Sequence, residues 1–94
     1  MPVAILTIHC QIPLCTSLKQ KRSHIKPVLA RLHKEFNVSA AEMDFHDRWH
    51  ESLIACALIS NDIGYAQSAC QHILSFFESS FPNLPVLEHH IELI

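Results

Sequence analysis

Glycine is almost absent from this sequence of 94 residues, in which Gly64 is the single example. Phosphate-binding loops of the P-loop and dinucleotide-binding types need several glycines, because only a residue without a side chain lets the backbone approach a phosphate closely. The sequence therefore excludes both kinds of loop. Its cysteines also lack a paired histidine and a third orienting residue, the set that nucleophilic catalysis requires. We predict that the protein is not an enzyme and has no cofactor.

Long apolar runs and closely paired cysteines are also missing. A transmembrane helix needs about 20 consecutive apolar residues, and every long apolar stretch here is interrupted by a polar side chain. The four cysteines, at positions 10, 15, 56 and 70, form no Cys-x-x-Cys pair, and no cationic segment or cleavage site precedes the apolar start of the chain. We expect a cytoplasmic protein with reduced thiols and no membrane segment.

Acidic side chains are absent from residues 1–34, which carry six basic ones, whereas residues 35–94 carry nine acidic side chains and one basic. The net charge of −2 and the pI of about 6.4 argue against a general nucleic-acid binder. Such an asymmetry can nevertheless steer a partner to one surface. The alternative is that a basic helix pairs with acidic neighbours within the fold, as exposed charges commonly do.

Four segments are predicted to be β-strands. Residues 3–12 alternate in polarity, with one fully apolar face, and end at Pro13, which has no amide to donate. Residues 37–45 form a shorter second strand, and residues 52–60 are apolar at nearly every position, which is typical of a central strand. Residues 86–94 alternate again. The polar connection between the second and third strands is predicted to be a hairpin loop.

Two segments are predicted to be amphipathic helices. Ser17, with Gln20 three residues later, fits a capping box, so the first helix is expected to begin near Ser17. Pro27 lies inside this helix and predicts a kink or a broken first turn, and a later start capped by Ser23 is the alternative. The second helix follows a cap at position 61 or 62 and runs to about residue 80.

The resulting element order is β-α-β-β-α-β in one domain spanning residues 1–94, with both helices able to cover one side of a four-stranded sheet. Right-handed crossovers place strands one and three in the middle, which predicts a ferredoxin-like antiparallel sheet of order 4-1-3-2. The predicted core residues are Leu6, Ile8, Leu29, Leu32, Phe36, Ile54, Leu58, Ile73 and Phe77. The partly apolar open face and the two unprotected edge strands predict a homodimer.

Several short motifs together resemble one known family. They are the N-terminal strand, SLKQKRS at 17–23, FNVSAAE at 36–42, Trp49 and SND at 60–62. Together they resemble the YlxP-like family of small bacterial proteins of unknown function, over essentially the whole chain. The resemblance implies a ferredoxin-like fold and a cytoplasmic bacterial protein. Because family genes often lie beside genes for translation initiation and ribosome maturation, it also implies a role near RNA. The chain departs from the family pattern at Pro27, His46 and His50.

The start of the first helix carries a predicted anion site. Its residues are Ser17, Lys19, Lys21, Arg22 and Lys26. The serine hydroxyl and the first-turn amides can donate to phosphate oxygens, the arginine can bind them in a bidentate manner, and the lysines supply point charges. The first strand lacks the aromatic pair of an RRM, so base stacking there is not predicted. The leading prediction is a non-catalytic module that docks on structured RNA or a ribosome-associated surface through these residues.

The alternative function is a small metal-binding module that uses the 44–51 connection. The candidate ligands are Asp44, His46, Asp47 and His50. Two histidines four residues apart in a helical turn would lie on one side, at a distance suitable for zinc. The other interpretation is a polar hairpin with solvated histidines. Trp49, in the same connection, is predicted to cap the end of the core rather than to bind a ligand.

Overall fold

The computed structural model describes residues 2–94, which form four strands and two helices. The elements are β1 (Val3–Gln11), α1 (Leu18–Glu35), β2 (Ser39–Asp44), β3 (Glu51–Ile59), α2 (Ile63–Ser80) and β4 (Val86–Leu93). Every predicted element is present, in the predicted order. The largest difference is in β2, which begins at Ser39 rather than at residue 37.

The four strands form one antiparallel sheet in the order β2-β3-β1-β4, which confirms the predicted order 4-1-3-2 read from the other edge. Strands β1 and β3 pair along their whole length, from Val3 opposite Ile59 to Gln11 opposite Glu51. Strand β4 pairs with the other side of β1, so β2 and β4 are the two edges. This is the ferredoxin-like arrangement. Because Gln11 at the end of β1 pairs with Glu51 at the start of β3, the β1–α1 connection and the β2–β3 turn lie at the same end of the sheet.

One face of the sheet is buried beneath both helices. Every second residue of β1, from Ala4 to Cys10, has no exposed surface, and the intervening side chains are partly exposed. Val28 and Leu32 of α1 and Phe77 of α2 are also fully buried and belong to the same core cluster. The prediction of two helices on one sheet face is therefore confirmed.

The predicted core list is mostly confirmed, with one shift on α1. Seven of its nine residues are buried, whereas Leu29 and Phe36 are partly buried and pack against the core from its side. Val28 takes the central position instead, with no exposed surface. The buried stripe of α1 thus lies about one residue away from the predicted one.

Helix α1 begins where the capping motif predicts. The Ser17 hydroxyl oxygen accepts a hydrogen bond from the Gln20 amide at 3.0 Å, and the Gln20 side-chain oxygen accepts from the Thr16 amide at 2.7 Å. The helix then continues without interruption through Pro27 to Glu35. The predicted broken first turn and the alternative start at Ser23 are therefore wrong.

The four cysteines are free and buried, each with at most 1% of its surface exposed. Burial raises the pKa of the Cys10 thiol to about 11, an effect increased by the negative charge of Glu42, and burial likewise raises the pKa of Cys56 to about 11. These thiols are therefore poor nucleophiles in the folded protein.

Within residues 2–94, no helix has the length and apolar character needed to cross a bilayer.

Candidate functional site

Three cations of α1 form an exposed surface that we call the basic face: Lys19, Arg22 and Lys26. Their spacing of three and four residues places them on one side of the helix. The buried residues of the same helix, from Lys21 through Ile25 to Leu32, follow a separate side, and all three cations are exposed. The basic face therefore points away from the core.

The three cations of the basic face have no carboxylate within 4.0 Å among residues 2–94, where four ion pairs occur elsewhere. Arg31, further along α1, differs in two ways. Its guanidinium lies 3.9 Å from Glu35 and 5.1 Å from the centre of the Phe76 ring on α2. The expectation that basic side chains pair with acidic neighbours therefore holds for part of α1 and fails for its basic face.

Lys21 is a correction to the predicted anion site, because its side chain faces the protein interior. The residue is 2% exposed, and its ammonium lies 2.9 Å from a carboxylate oxygen of Glu42 on β2. The same ammonium donates to the backbone carbonyl of Phe45 in the β2–β3 turn. With its charge paired and its donors directed inward, Lys21 does not belong to the exposed site.

The carboxylate of Glu42 connects Lys21 to the middle of the sheet. It accepts a hydrogen bond from the hydroxyl of Ser52, a fully buried residue that lies opposite Cys10 in the β1–β3 ladder. In the described part of the chain, every buried side-chain nitrogen and oxygen has a hydrogen-bond partner. This cluster thus fastens α1 to β2, β3 and the turn, a role typical of a fully satisfied polar network.

Ser17 lies beside the basic face but is occupied by capping. Its hydroxyl oxygen accepts from the Gln20 amide, and its carbonyl accepts from the Lys21 amide at 3.0 Å. The amide of Gln20 is therefore not free for an anion. Of the five predicted anion-site residues, the structure places three together in the open, one at the helix cap and one in the interior.

The β2–β3 turn does not assemble the predicted metal ligands. Asp44 accepts a hydrogen bond from the Phe45 amide at 2.7 Å, and the His46 ring lies 3.2 Å from the Glu42 carbonyl oxygen. Across residues 2–94, no group of three or more potential ligands is placed to hold a metal ion. The physical reason is that residues 45–50 form non-helical turns, so His46, Asp47 and His50 do not share the side of a helix. The metal-binding alternative is therefore not supported.

Trp49 differs from its predicted position at the end of the core. The residue is 45% exposed, and its ring lies edge-on to that of His50, with 6.4 Å between the ring centres. Phe45 makes the packing contacts of the turn instead. Its ring stacks on His9 at 4.9 Å and lies 5.4 Å from the guanidinium of Arg48.

The sequence comparison places the chain in a family. The profile described as "Protein of unknown function (DUF503)" matches residues 3–91. The chain belongs to the DUF503 family. Over 75 residues, this DUF503 protein is 33% identical to "Uncharacterized protein YlxP" from Bacillus subtilis (strain 168), a match that covers 80% of each chain. The resemblance drawn from the sequence motifs is thereby confirmed.

Solved structures also match this DUF503 protein. One of them is the crystal structure of protein SO0527 from Shewanella oneidensis, which aligns with 99% of the present chain and 87% of its own. The sequence identity is 16% and the TM-score is 0.47. At that level the likeness carries no functional argument.

Proposed function

We propose that the protein is a non-catalytic module that docks on structured RNA at a ribosome-associated surface through the basic face of α1. The observation that carries the proposal is the set of three exposed cations, Lys19, Arg22 and Lys26, with no carboxylate within 4.0 Å in the described chain. Unpaired cations on one side of a helix suit the regularly spaced phosphates of a polyanion. Arg22 supplies the bidentate geometry and the two lysines supply point charges.

The buried polar groups support the non-catalytic part of the proposal. An acid, base or nucleophile must reach its substrate, whereas Lys21 and Ser52 are buried and bonded to Glu42. The thiols of Cys10 and Cys56, with pKa values of about 11, are protonated at neutral pH. These groups therefore stabilise the fold rather than take part in a reaction.

The affinity is expected to be modest. Each phosphate contact contributes less than one unit to the slope of log affinity against log salt, so three contacts give a slope of about −2. Dedicated nucleic-acid binders have much steeper slopes. Binding should thus be measurable at low salt and nearly lost at high salt.

The test is a titration of ribosomal RNA fragments with the full chain at several salt concentrations. The variant with Lys19→Glu, Arg22→Glu and Lys26→Glu should lose most of the binding, while circular dichroism shows an unchanged fold. Lys26→Glu and Lys34→Glu form a matched pair, since both reverse one charge on the same helix and Lys34 lies two turns further along. Lys26→Glu should weaken binding more than Lys34→Glu.

Two results would contradict the proposal. Equal binding by the wild type and the triple variant would mean that the basic face is only a solvated surface. Equal losses for Lys26→Glu and Lys34→Glu would mean that overall charge, rather than this face, determines affinity. If no RNA fragment binds to the wild type at low salt, the RNA proposal fails and a protein partner becomes the subject of a pull-down from lysate.

A further inference from the structure

The outer edge of β4 presents backbone groups that no strand of the described chain covers. Val3 and Ile94 exchange two backbone hydrogen bonds, of 3.0 and 2.8 Å, and are therefore a hydrogen-bonded pair. This pair determines which residues of β4 direct their backbone groups toward β1. Because such pairs recur at every second residue, Glu88, His90 and Glu92 direct their amides and carbonyls toward β1. The intervening residues, at positions 89, 91 and 93, therefore direct theirs away from the sheet. We call residues 88–94 the β4 edge.

The β4 edge lacks several of the features that usually prevent strand pairing. Residues 88–94 contain no proline and no lysine, and the irregularity in the β1–β4 ladder falls before them, at Leu87. Natural proteins commonly protect an edge strand with such residues or with a bulge. The regular part of β4 is therefore open to a partner strand.

The side chains of the β4 edge suit a second copy of the same chain. On the open face of the sheet, Glu88, His90 and Glu92 follow one another in alternating positions. An antiparallel copy related by a two-fold axis at Ile91 would bring His90 of each chain opposite Glu92 of the other, on both sides of the axis. A sequence of this kind complements itself, which distinguishes a second copy from an unrelated strand.

The helical side of the edge is also suited to close approach. A groove of ≈540 Å³ lies between Ile91 and Leu93 of β4 and the α2 residues Gly64, Gln67, Ser68 and Gln71. Among its 18 residues, α2 contains one Asp or Glu, Glu78, and no Lys or Arg. Surface helices of soluble proteins normally carry more charge. A groove between uncharged helix residues and apolar strand residues is typical of a surface that becomes buried.

We propose that two copies of the chain join through their β4 edges, antiparallel about a two-fold axis at Ile91, to form a continuous eight-stranded sheet. In this register, His90 lies opposite the partner's Glu92 on both sides of the axis. These are non-hydrogen-bonded positions, where facing side chains approach most closely. Residues 89, 91 and 93 supply the backbone hydrogen bonds, and Ile91 packs against its own copy beside the groove.

Two other registers are less favourable. An axis at His90 would set Glu88 opposite the partner's Glu92 and would place like charges together. An axis at His89 would use the irregular segment at Leu87 for pairing. The register centred on Ile91 avoids both, and it leaves the basic face free because α1 packs beside β2 at the opposite edge of the sheet.

The first test uses the wild-type chain and no variant. Light scattering should give twice the chain mass of 10.7 kDa at high protein concentration. Amide hydrogen exchange measured by NMR should then show the alternation, with the amides of His89, Ile91 and Leu93 protected in the dimer and becoming exposed on dilution. A monomer mass at high concentration would overturn the proposal, and so would a dimer in which those three amides exchange freely.

Charge reversal tests the register. His90→Glu should raise the dimer dissociation constant by about tenfold or more, because each of the two histidine–glutamate pairs becomes a pair of facing glutamates with like charges. Adding Glu92→His to this variant should restore dimerisation, since the pairs are then exchanged. His50→Glu, the same change at an exposed site on the β2–β3 turn, is the matched control and should leave the dimer unchanged.

Restored dimerisation on adding Glu92→His would exclude misfolding as the cause of the His90→Glu effect, because the double variant still contains His90→Glu. If His90→Glu and His50→Glu have equal effects, the β4 edge is not the interface. If Glu88→His rather than Glu92→His rescues the His90→Glu variant, the proposed register is wrong.

Discussion

The contact between Lys21 and Glu42 joins α1 to the edge strand β2 and to the turn that follows it. Replacing Lys21 with methionine keeps the volume of the side chain but removes the ammonium that contacts the Glu42 carboxylate and the Phe45 carbonyl, so Glu42 keeps only the hydrogen bond from Ser52. Because the Glu42 side chain keeps 18% of its exposure, solvent offsets part of the loss. We expect Lys21→Met to lower the free energy of unfolding by about 2–3 kcal/mol.

Urea denaturation measures this effect, and Lys19→Met is the control. Lys19 is exposed on the same helix, so its replacement should change the free energy of unfolding by less than about 0.5 kcal/mol. Equal effects of the two substitutions would show that the buried ion pair contributes no more than a surface charge. Lys21→Met combined with Glu42→Gln should recover part of the loss, since no unpaired charge remains.

The spacing of residues in α1 indicates that Lys21 is buried, although its residue type suggests the opposite. Lys21, Ile25, Val28 and Leu32 are spaced by 4, 3 and 4 residues, which is the periodicity of a buried helix face. The residue type nevertheless predicts a surface position, because lysines are rarely buried without a partner. The partners of Lys21, the Glu42 carboxylate and the Phe45 carbonyl, lie outside α1, and only the three-dimensional packing identifies them.

Glu51 forms a second polar contact, on the open side of the sheet, that predicts a dependence of stability on pH. Its carboxylate lies 2.8 Å from the His9 ring nitrogen and 3.3 Å from the Arg48 guanidinium. The hydrogen bond from His9, followed by the contacts with Arg48, lowers the pKa of Glu51 below its usual value of 4.5. The contribution to stability is therefore present above pH 4.5 and is lost as the pH falls through the lower pKa of the folded state.

We expect the difference in free energy of unfolding between the wild type and Glu51→Gln to become smaller in acid. Urea denaturation at neutral pH should show the variant to be less stable, and a series below pH 4.5 should bring the two curves together. Glu78→Gln is the control, because Glu78 is exposed and forms no ion pair in the described chain. A constant difference at all pH values would contradict the prediction.

At the scale of the elements, Pro27 is the residue that conflicts most with its surroundings. It occupies an exposed position inside α1, where it cannot donate to the carbonyl of Ser23. Pro27→Ala restores this hydrogen bond, although it also increases the conformational freedom of the unfolded chain. We expect the free energy of unfolding to rise by about 1–2 kcal/mol.

Thermal and urea denaturation would measure the change, with Pro27→Gly for comparison. Glycine also restores the amide but favours the helix by about 1 kcal/mol less than alanine does, so its gain should be smaller. A decrease in stability for Pro27→Ala would mean that the proline ring makes a contact that stabilises the helix.

The elements were predictable because each has a strong local pattern. The alternation of β1 is confirmed along its length, and the caps at Ser17 and Asp62 fix where the two helices begin. The β2–β3 turn was not predictable in the same way. Phe45 has a φ of 64°, a left-handed conformation that is uncommon for a large side chain. No local pattern indicates this conformation, because contacts from Lys21 of α1 and His9 of β1 hold the turn.

At the scale of the whole molecule, the four buried cysteines make chemical modification a measure of unfolding. Each thiol is at most 1% exposed, so an alkylating reagent has no access until the structure opens. Modification of the native protein should be slow, should affect all four thiols together, and should be faster in the Lys21→Met variant. Mass spectrometry of partly modified samples measures this. A population with one modified thiol would instead indicate local opening near that cysteine.

The strand order β2-β3-β1-β4 also determines what the proposed dimer can bind. Each α1 packs beside β2, at the edge opposite β4. The two outermost strands of the joined sheet would be about 34 Å apart, at about 4.8 Å per strand. Two basic faces so far apart give a bivalent protein, in which binding of the first raises the effective concentration of the second. A short RNA stem would engage one face, whereas an RNA long enough to span the sheet would gain avidity without any new contact.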